Sequence, residues 1–422
     1  MGQTIFVPKE VDATEARVAA SPDTVKRLSG LGFSVVVEKD AGQGSRIPDA
    51  DFVAAGASIG KSSDAGKADV VLKVRRPTDA ELKSYKSGAL VLASMDPYGN
   101  DAAVAAMARA GISAFAMEFM PRITRAQSMD VLSSQANLAG YQAVIDAAAE
   151  YDRALPMMMT AAGTVPAAKI FVMGVGVAGL QAIATARRLG GVVTATDVRP
   201  AAKEQVASLG AKFLAVEDEE FKAAETAGGY AKEMSKEYQA KQAALTADHI
   251  SKQDIVITTA LIPGRPAPKL ISAAMVASMK PGSVIVDLAV ERGGNVEGSV
   301  PGKVVTTANG VRIIGHLNVP GRVAASSSLL YAKNLFAFLE TMIDKETKTV
   351  SVNPDDELVK ATLLTHGGKV VHAGFAKADT AGSEAPAKAA APAKKAAAPK
   401  KAAAPRKAPA RKPAAPKTKG GA

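Results

Sequence analysis

Short, uninterrupted apolar runs recur along most of the chain, separated by stretches with helical spacing. The first series is Ile5–Pro8, Ser34–Glu38 (SVVVE), Asp69–Val74 (DVVLKV), Ala89–Ala93 and Ile112–Ala116. The second is Lys169–Met173, Val192–Thr196, Asp254–Thr258, Ser283–Asp287 and Val311–Ile314. Runs this short, without alternating polar positions, predict strands of parallel sheets buried on both faces. Helices are predicted over Ser21–Leu31, Asp101–Ala110, Ser128–Tyr151, Val177–Leu189 and Ser326–Asp344. The first of these has Ser21 as its cap and Pro22 at its first position.

Two strand–helix series predict an α/β protein of two doubly wound, Rossmann-like domains with a cleft between them. The last long helix is expected to return to the first series. The first domain is then discontinuous, 1–133 plus 323–375, around a second domain at 134–322. The polar stretch 224–242 (AETAGGYAKEMSKEYQAKQ) is long for a crossover. It is expected to form an exposed, mobile loop running into a helix.

Composition narrows the chemistry. The chain has no cysteine, which excludes disulfides, thiolate metal sites, iron–sulfur clusters and thiol catalysis. No apolar run reaches the roughly 18 residues of a membrane span, and the N-terminus lacks a signal-peptide pattern. The net charge of +11 is concentrated at one end: residues 376–422 carry 12 Lys/Arg against 2 Asp/Glu, leaving 40 against 39 elsewhere. The body is near neutral, and 376–422 is a basic Ala/Lys/Pro-rich tail. Repeated proline and the lack of an apolar face predict disorder there. Such a tail is either a tether to an anionic membrane surface or acidic partner, or a solvated extension with no partner. Its low aromatic content offers no specific reading of nucleic acid.

The strongest local signal is KIFVMGVGVAGLQAIATARRLGGVVTATDVRP. Gly174-x-Gly176-x-x-Gly179 follows an apolar strand and opens a helix, and a second strand ends in Asp197, 23 residues after Gly174. Gly174 permits the tight turn, Gly176 lets backbone approach a pyrophosphate, and Gly179 lets helix pack on strand. The helix N-terminus offers free N–H groups to the phosphates. Asp197 can accept from ribose hydroxyls and disfavours a 2′-phosphate, which points to NAD(H) rather than NADP(H). Arg199 is the counter-indication, since an Arg there can accommodate that phosphate. Val172, on the fingerprint strand, joins the expected nucleotide-lining set.

Pro121–Tyr141 (PRITRAQSMDVLSSQANLAGY) holds a polar cluster with no His, Cys or Glu. On one continuous helix, Gln127, Asp130 and Ser134 share a face, within ~60° of one another, and Ser133 lies ~60° further round. Capping of the helix by Asp130 is the structural alternative. An enzyme oxidising a C–OH or C–NH2 centre needs a general acid or base as well as a hydride acceptor. The four histidines are poor candidates: His366 and His372 lie near the tail, His249 is expected at the surface, and His316 is expected to be structural. Asp287 and Glu291 sit at a strand end and suit either catalysis or loop hydrogen bonding. No metal-ligand constellation stands out. Hydride transfer between two nicotinamides releases no proton at either carbon and needs only placement of the two rings.

With PKEVDATEARVAASPDTVKRL, AGGYAKEM, ITTALIPGRPAP and GSVIVDLAVERGGN added, the chain closely resembles the NAD(H)-binding domain I of proton-translocating nicotinamide nucleotide transhydrogenases from Thr4 to about Leu339. The RAQSMD run is the most specific element of that resemblance. It implies that Arg122, Asp130 and Ser133 orient the NAD(H) ribose and carboxamide while Gln127 bridges toward the partner's nucleotide. It implies pyrophosphate contacts at Val177, Ala178 and Gly179 and adenosine-ribose contacts at Asp197, Val198 and Arg199. Gly229 and Tyr230 would lie on a mobile loop that closes on the nucleotide, and Gln242 and Leu261 would line the site. It further implies a homodimer acting only with a membrane subunit and a β subunit that binds NADP(H), as a peripheral subunit on the cytoplasmic face of the inner (plasma) membrane.

Alanine dehydrogenases are the natural rival. Arg17 (TEARVA) and Lys73 (VLKVRRP) match positions where those enzymes bind substrate carboxylate and carbonyl. Their His at the end of the LVLASMDPY strand is absent, and Glu291 stands where they use Asp; both departures favour the transhydrogenase. A non-catalytic NAD-binding module is the other alternative.

Overall fold

The computed structural model describes residues 2–224, 234–344 and 346–376. The predicted basic tail beyond Ala376, and Gly229 and Tyr230, lie outside the described residues.

Strands β1 (Thr4–Val7), β2 (Ser34–Glu38), β3 (Ser58–Gly60), β4 (Val70–Arg75), β5 (Leu90–Ser94) and β6 (Ser113–Ala116) form a parallel run in the order β3-β2-β1-β4-β5-β6. A short antiparallel hairpin follows, β7 (Met158–Thr160) and β8 (Gly163–Val165). The second sheet contains β9 (Lys169–Met173), β10 (Val192–Thr196), β11 (Lys212–Phe213), β12 (Ile255–Thr258), β13 (Val284–Asp287), β14 (Val304–Thr306) and β15 (Arg312–Ile314). Its order is β11-β10-β9-β12-β13-β15-β14. Strands β16 (Leu363–His366) and β17 (Lys369–Val370) return to the first sheet beside β6.

All ten predicted strands form. Both sheets also carry antiparallel edges, β16 on β6 and β14 on β15, which the expectation of purely parallel sheets did not include. Burial on both faces explains the continuous apolar runs. Ile5, Val7, Val35 and Leu72 enter one core with Tyr331, Leu335 and Phe338, while Phe6, Val71 and Val91 enter another on the opposite face. Each such side chain contributes about 1.5–3 kcal/mol on burial. Helix Ala324–Glu340 thus returns to the core of the first sheet.

In each sheet the strand order reverses direction next to the first strand, at β1/β4 and at β9/β12. Ligands of open α/β sheets bind outside the carboxyl ends of the strands at such points. The loop leaving β5 meets loops leaving β12 and β13: Asp96 is ion-paired with Arg292, and a Cβ at Gly264 would lie 2.9 Å from the Tyr98 ring. The strand-end loops of the two sheets therefore face one cleft.

Candidate nucleotide site and cleft

At the fingerprint each glycine has a distinct steric reason. Gly174 has φ +99°, and a Cβ there would lie 2.5 Å from Thr259 Oγ1. A Cβ on Gly179 would lie 1.9 Å from the Gly174 carbonyl oxygen, so only glycine lets the helix sit against the turn. At Gly176 a Cβ would meet nothing within 4 Å. That open space lies at the N-cap of helix Val177–Arg188, where no side chain caps the free N–H groups. A pyrophosphate fits there, held by backbone donors and the helix dipole. Val177 at the first turn is exposed and Ala178 half-buried. Helix Val131–Glu150 packs against this helix so closely that a Cβ at Gly140 would come within 2.0 Å of Ala178 O.

Asp197 follows β10 with a carboxylate saturated by four N–H donors. Val175 N–H donates to Oδ2 at 2.7 Å and Arg199 N–H to Oδ1 at 2.9 Å. The Arg199 guanidinium donates to both oxygens, at 2.9 and 3.0 Å. Arg199 is thereby committed to Asp197 and to Val175 O. Val198 is 54% exposed beside them. Gln242, on helix Lys236–Ile250, donates to Thr196 Oγ1 at 3.2 Å and accepts from Val216 N–H at 2.9 Å, closing the far side of β10. Leu261 is 51% exposed on the loop after β12, and Asn295 pins that loop through both main-chain groups of Ala260. Val172 requires a correction: its side chain is fully buried in the helix-covered core and presents no surface to a ligand.

The polar stretch after β6 also departs from the helix geometry expected for it. Residues Thr124–Met129 form a separate 3-10 turn, and the α-helix begins only at Val131. Asp130 has φ −75° and ψ 93°, outside the helix, so Gln127 and Asp130 do not share a helical face. Asp130 is the N-cap, accepting from Ser133 N–H at 2.9 Å and Ser133 Oγ at 2.6 Å. The local hydrogen bonds of the cap outcompete one more helical turn. Arg125 pairs with Asp356 and Glu357. Asn334 holds the turn from beneath, donating to Ser128 O and accepting from Ser134 Oγ. Between Pro121 and Asp130, Arg122 and Gln127 are the charged and amide side chains exposed without an intramolecular partner; Asn137, a turn and a half into the helix, is exposed likewise. The loop is thus anchored at its ends and presents two uncommitted groups.

Elsewhere in the cleft the charges pair off. Lys73 is 0% exposed, with Nζ 2.6 Å from Glu81 and 3.3 Å from Glu10. Burial raises the Glu10 pKa despite that neighbour. Arg17 is 6% exposed, forked onto Glu15 and bonded to Gln135 and Asn318. Glu118 caps the turn after β5 by accepting from Met95 and Asp96 N–H, and burial raises its pKa. Asp287 is 1% exposed and accepts from Ala289, Asn295 and Val296 N–H, the loop-bonding alternative rather than catalysis. Glu291 is exposed.

His249 is half-buried, not on the surface: its Nε2 lies 2.8 Å from Thr194 Oγ1 and its ring packs edge-on to Phe171. Burial lowers the pKa of His249, His316 and His372, which keeps them neutral near pH 7. No His/Cys/Asp/Glu group able to hold a metal occurs among the described residues. Sequence reasoning missed Thr259, whose hydroxyl donates to Gly174 O at 3.0 Å, and Asn295. Nothing local marks either residue, since their partners lie 85 and 35 positions away.

Two family models span this architecture, "Alanine dehydrogenase/PNT, N-terminal domain" over residues 6–139 and "Alanine dehydrogenase/PNT, C-terminal domain" over 143–373. The chain belongs to the alanine dehydrogenase/PNT family. Within it, the chain is 57% identical over 375 residues to the first part of NAD(P) transhydrogenase subunit alpha of Rhodospirillum rubrum, covering 87% of this chain and 97% of that one. The crystal structure of transhydrogenase from Sinorhizobium meliloti is similar at 69% identity and a TM-score of 0.81, over 87% of this chain and 100% of that one. A solved L-alanine dehydrogenase matches at 25% identity and a TM-score of 0.75, over 88% and 98%. The family's two branches thus share this fold, and the cleft chemistry must separate them.

Proposed function

We propose that this chain is the NAD(H)-binding subunit of a proton-translocating transhydrogenase, passing a hydride to NADP+ held by a β subunit. The observation that carries this reading is the pairing of Arg17 and Lys73, the two cations at the positions where an alanine dehydrogenase holds its substrate. An amino-acid dehydrogenase needs free cations for its substrate and a proton carrier. Here Arg17 is occupied by Glu15, Lys73 by Glu10 and Glu81, and the residue ending the β5 loop is Asp96, paired with Arg292. Bound NADH supplies the hydride, and no group on this chain has to move a proton at the reacting carbon.

The residues present fit that cofactor. Backbone donors at Gly176–Gly179 hold the pyrophosphate in the open space before the helix. Asp197 takes the adenosine ribose hydroxyls once the Arg199 fork yields part of its carboxylate, since all its acceptor positions are now filled. The carboxylate repels a 2′-phosphate and keeps the Arg199 cation for itself, which favours NAD(H). Arg122 orients the nicotinamide ribose and carboxamide and Gln127 reaches toward the partner's nucleotide, while Asp130 and Ser133 fix the turn that carries them. Val198, Leu261 and Gln242 complete the lining among the described residues.

The test mixes the purified chain with a transhydrogenase NADP(H)-binding domain and follows hydride transfer from NADH to an NADP+ analogue. A parallel assay follows alanine-dependent NAD+ reduction. Transfer without alanine turnover is expected. Alanine turnover by the chain alone would sink the reading, and nucleotide binding with neither activity would leave a binding module.

The same reading makes the chain a homodimer on the cytoplasmic face of the membrane, docked to a separate membrane subunit. No described helix is long and apolar enough to cross a membrane. Hairpin β7–β8 supports the dimer: Met157, Met158 and Met159 are 61, 43 and 79% exposed, and a lone two-stranded hairpin is marginal in water. Met159→Glu is expected to shift the sedimentation coefficient from dimer toward monomer at micromolar concentration. A dimer that persists unchanged would put the interface elsewhere.

A further inference from the structure

The first sheet shares the 3-2-1-4-5 strand order of the fingerprint sheet, and a cavity of about 360 Å³ lies at its own reversal point. Pro8, Lys9, Glu10, Glu38, Glu81 and Tyr85 are among its lining residues. The cavity belongs to the carboxyl ends of β1 and β2, on the other sheet from the fingerprint.

The backbone there repeats the arrangement at Asp197. Val175, two residues beyond β9, donates its N–H to Asp197 Oδ2 after β10. Lys9, two residues beyond β1, donates its N–H to Glu38 Oε2 at the end of β2, at 2.9 Å. Each sheet therefore holds an acidic side chain at the tip of its second strand by the same main-chain donor. Glu38 differs in having no cation on it, and its Oε1 carries no hydrogen bond.

Tyr85 supplies an independent observation. It is 8% exposed, and its buried hydroxyl has no hydrogen-bond partner. The charges that act on that hydroxyl are Glu81, Glu10 and Glu38, the three carboxylates of the cavity. A buried donor without an acceptor is costly, so the site is complete only with a polar group from outside the chain.

The same charges select the class of ligand. Three carboxylates line the cavity against Lys9, while the nearby Lys73 ammonium is spent on Glu10 and Glu81. Counting from the strand ends, Pro8, which has no N–H, stands where the fingerprint has Gly174, and Glu10 stands where it has Gly176, the glycine that lets a phosphate approach. A phosphate is repelled; an uncharged molecule with adjacent hydroxyl donors is not.

We propose that this cavity is a second small-molecule site that takes an uncharged, nucleoside-sized vicinal diol, with its hydroxyls donating to Glu38 and an oxygen accepting from Tyr85. The volume lies within the ordinary range for small-molecule pockets.

Adenosine is the probe, titrated calorimetrically into the full chain carrying Asp197→Ala, which weakens the fingerprint site. One adenosine per chain is expected to bind. Adding Glu38→Ala is expected to weaken it at least ~10-fold, because bonds to a charged acceptor are lost. Adding Tyr85→Phe, which keeps the ring and the packing, is expected to weaken it ~5-fold. Melting temperatures check that each variant is folded, and AMP is expected not to bind. The proposal is overturned by absence of saturable adenosine binding to the Asp197→Ala chain. Binding indifferent to both Glu38→Ala and Tyr85→Phe overturns it too, as does AMP binding as tightly as adenosine.

Discussion

Gln127→Asn lowers the rate of hydride transfer from NADH to NADP+ on the order of 100-fold while NADH affinity stays within about threefold; this is the expected result of stopped-flow transfer assays set beside equilibrium nucleotide binding. Gln127 is exposed and has no intramolecular partner, so the substitution removes nothing that holds the turn. Shortening the side chain by one methylene withdraws its amide by roughly 1.5 Å, and a misplacement near 1 Å costs about two orders of magnitude where positioning is the whole of catalysis. The anchors of the turn are untouched: Arg125 on Asp356 and Glu357, Asn334 on Ser128 O, and the Asp130 cap. Equal losses in rate and affinity would reduce the loop to a binding element.

The second large effect concerns stability. Lys73→Met is expected to destabilise the fold by about 3–5 kcal/mol in chemical denaturation, because it leaves two buried carboxylates without their ammonium. Side-chain exposure is 0% at Lys73, 3% at Glu10 and 15% at Glu81, so water does not replace the lost partner. The pH dependence has a definite sign. Burial already raises the Glu10 pKa above its usual 4.5, so the folded state favours the protonated acid. A raised carboxylate stabilises the fold below its unfolded pKa and loses that contribution as pH rises through the folded pKa. The variant's deficit is therefore full at neutral pH and shrinks as pH falls toward the ordinary carboxylate range. Adding Glu10→Gln should recover part of the deficit at neutral pH. A loss under about 1 kcal/mol accompanied by lost transfer would instead make Lys73 a catalytic group.

The two variants probe features that were unequally legible in the sequence. The strand-end loop RAQSMD could be picked out by residue type, and its lack of a proton carrier could be read directly. Which of its members are free could not. Arg122 and Gln127 are uncommitted because Asp356 and Glu357 occupy Arg125, more than 200 residues along the chain, and because Asp130 turns back on Ser133. Likewise Arg17 and Lys73 could be read as substrate-binding cations from the sequence. Their neutralisation depends on where Glu15, Glu10 and Glu81 are placed once the sheet forms.

Local backbone physics, by contrast, is written locally. Ten strands and the fingerprint were legible because apolar runs and glycine spacing act over a few residues: Gly174 needs its positive φ, and Gly179 its missing Cβ, within one turn. By itself the sequence determined the two doubly wound series, the nucleotide fingerprint with its acidic tip, and the absence of thiol chemistry. Only the tertiary structure decided that Arg199 covers Asp197, that Arg17 and Lys73 are already paired, and that Glu38 and Tyr85 share a cavity. Hydrogen bonds and ion pairs are set by distances of about 3 Å between side chains, and sequence separation carries no information about those distances until the chain has folded.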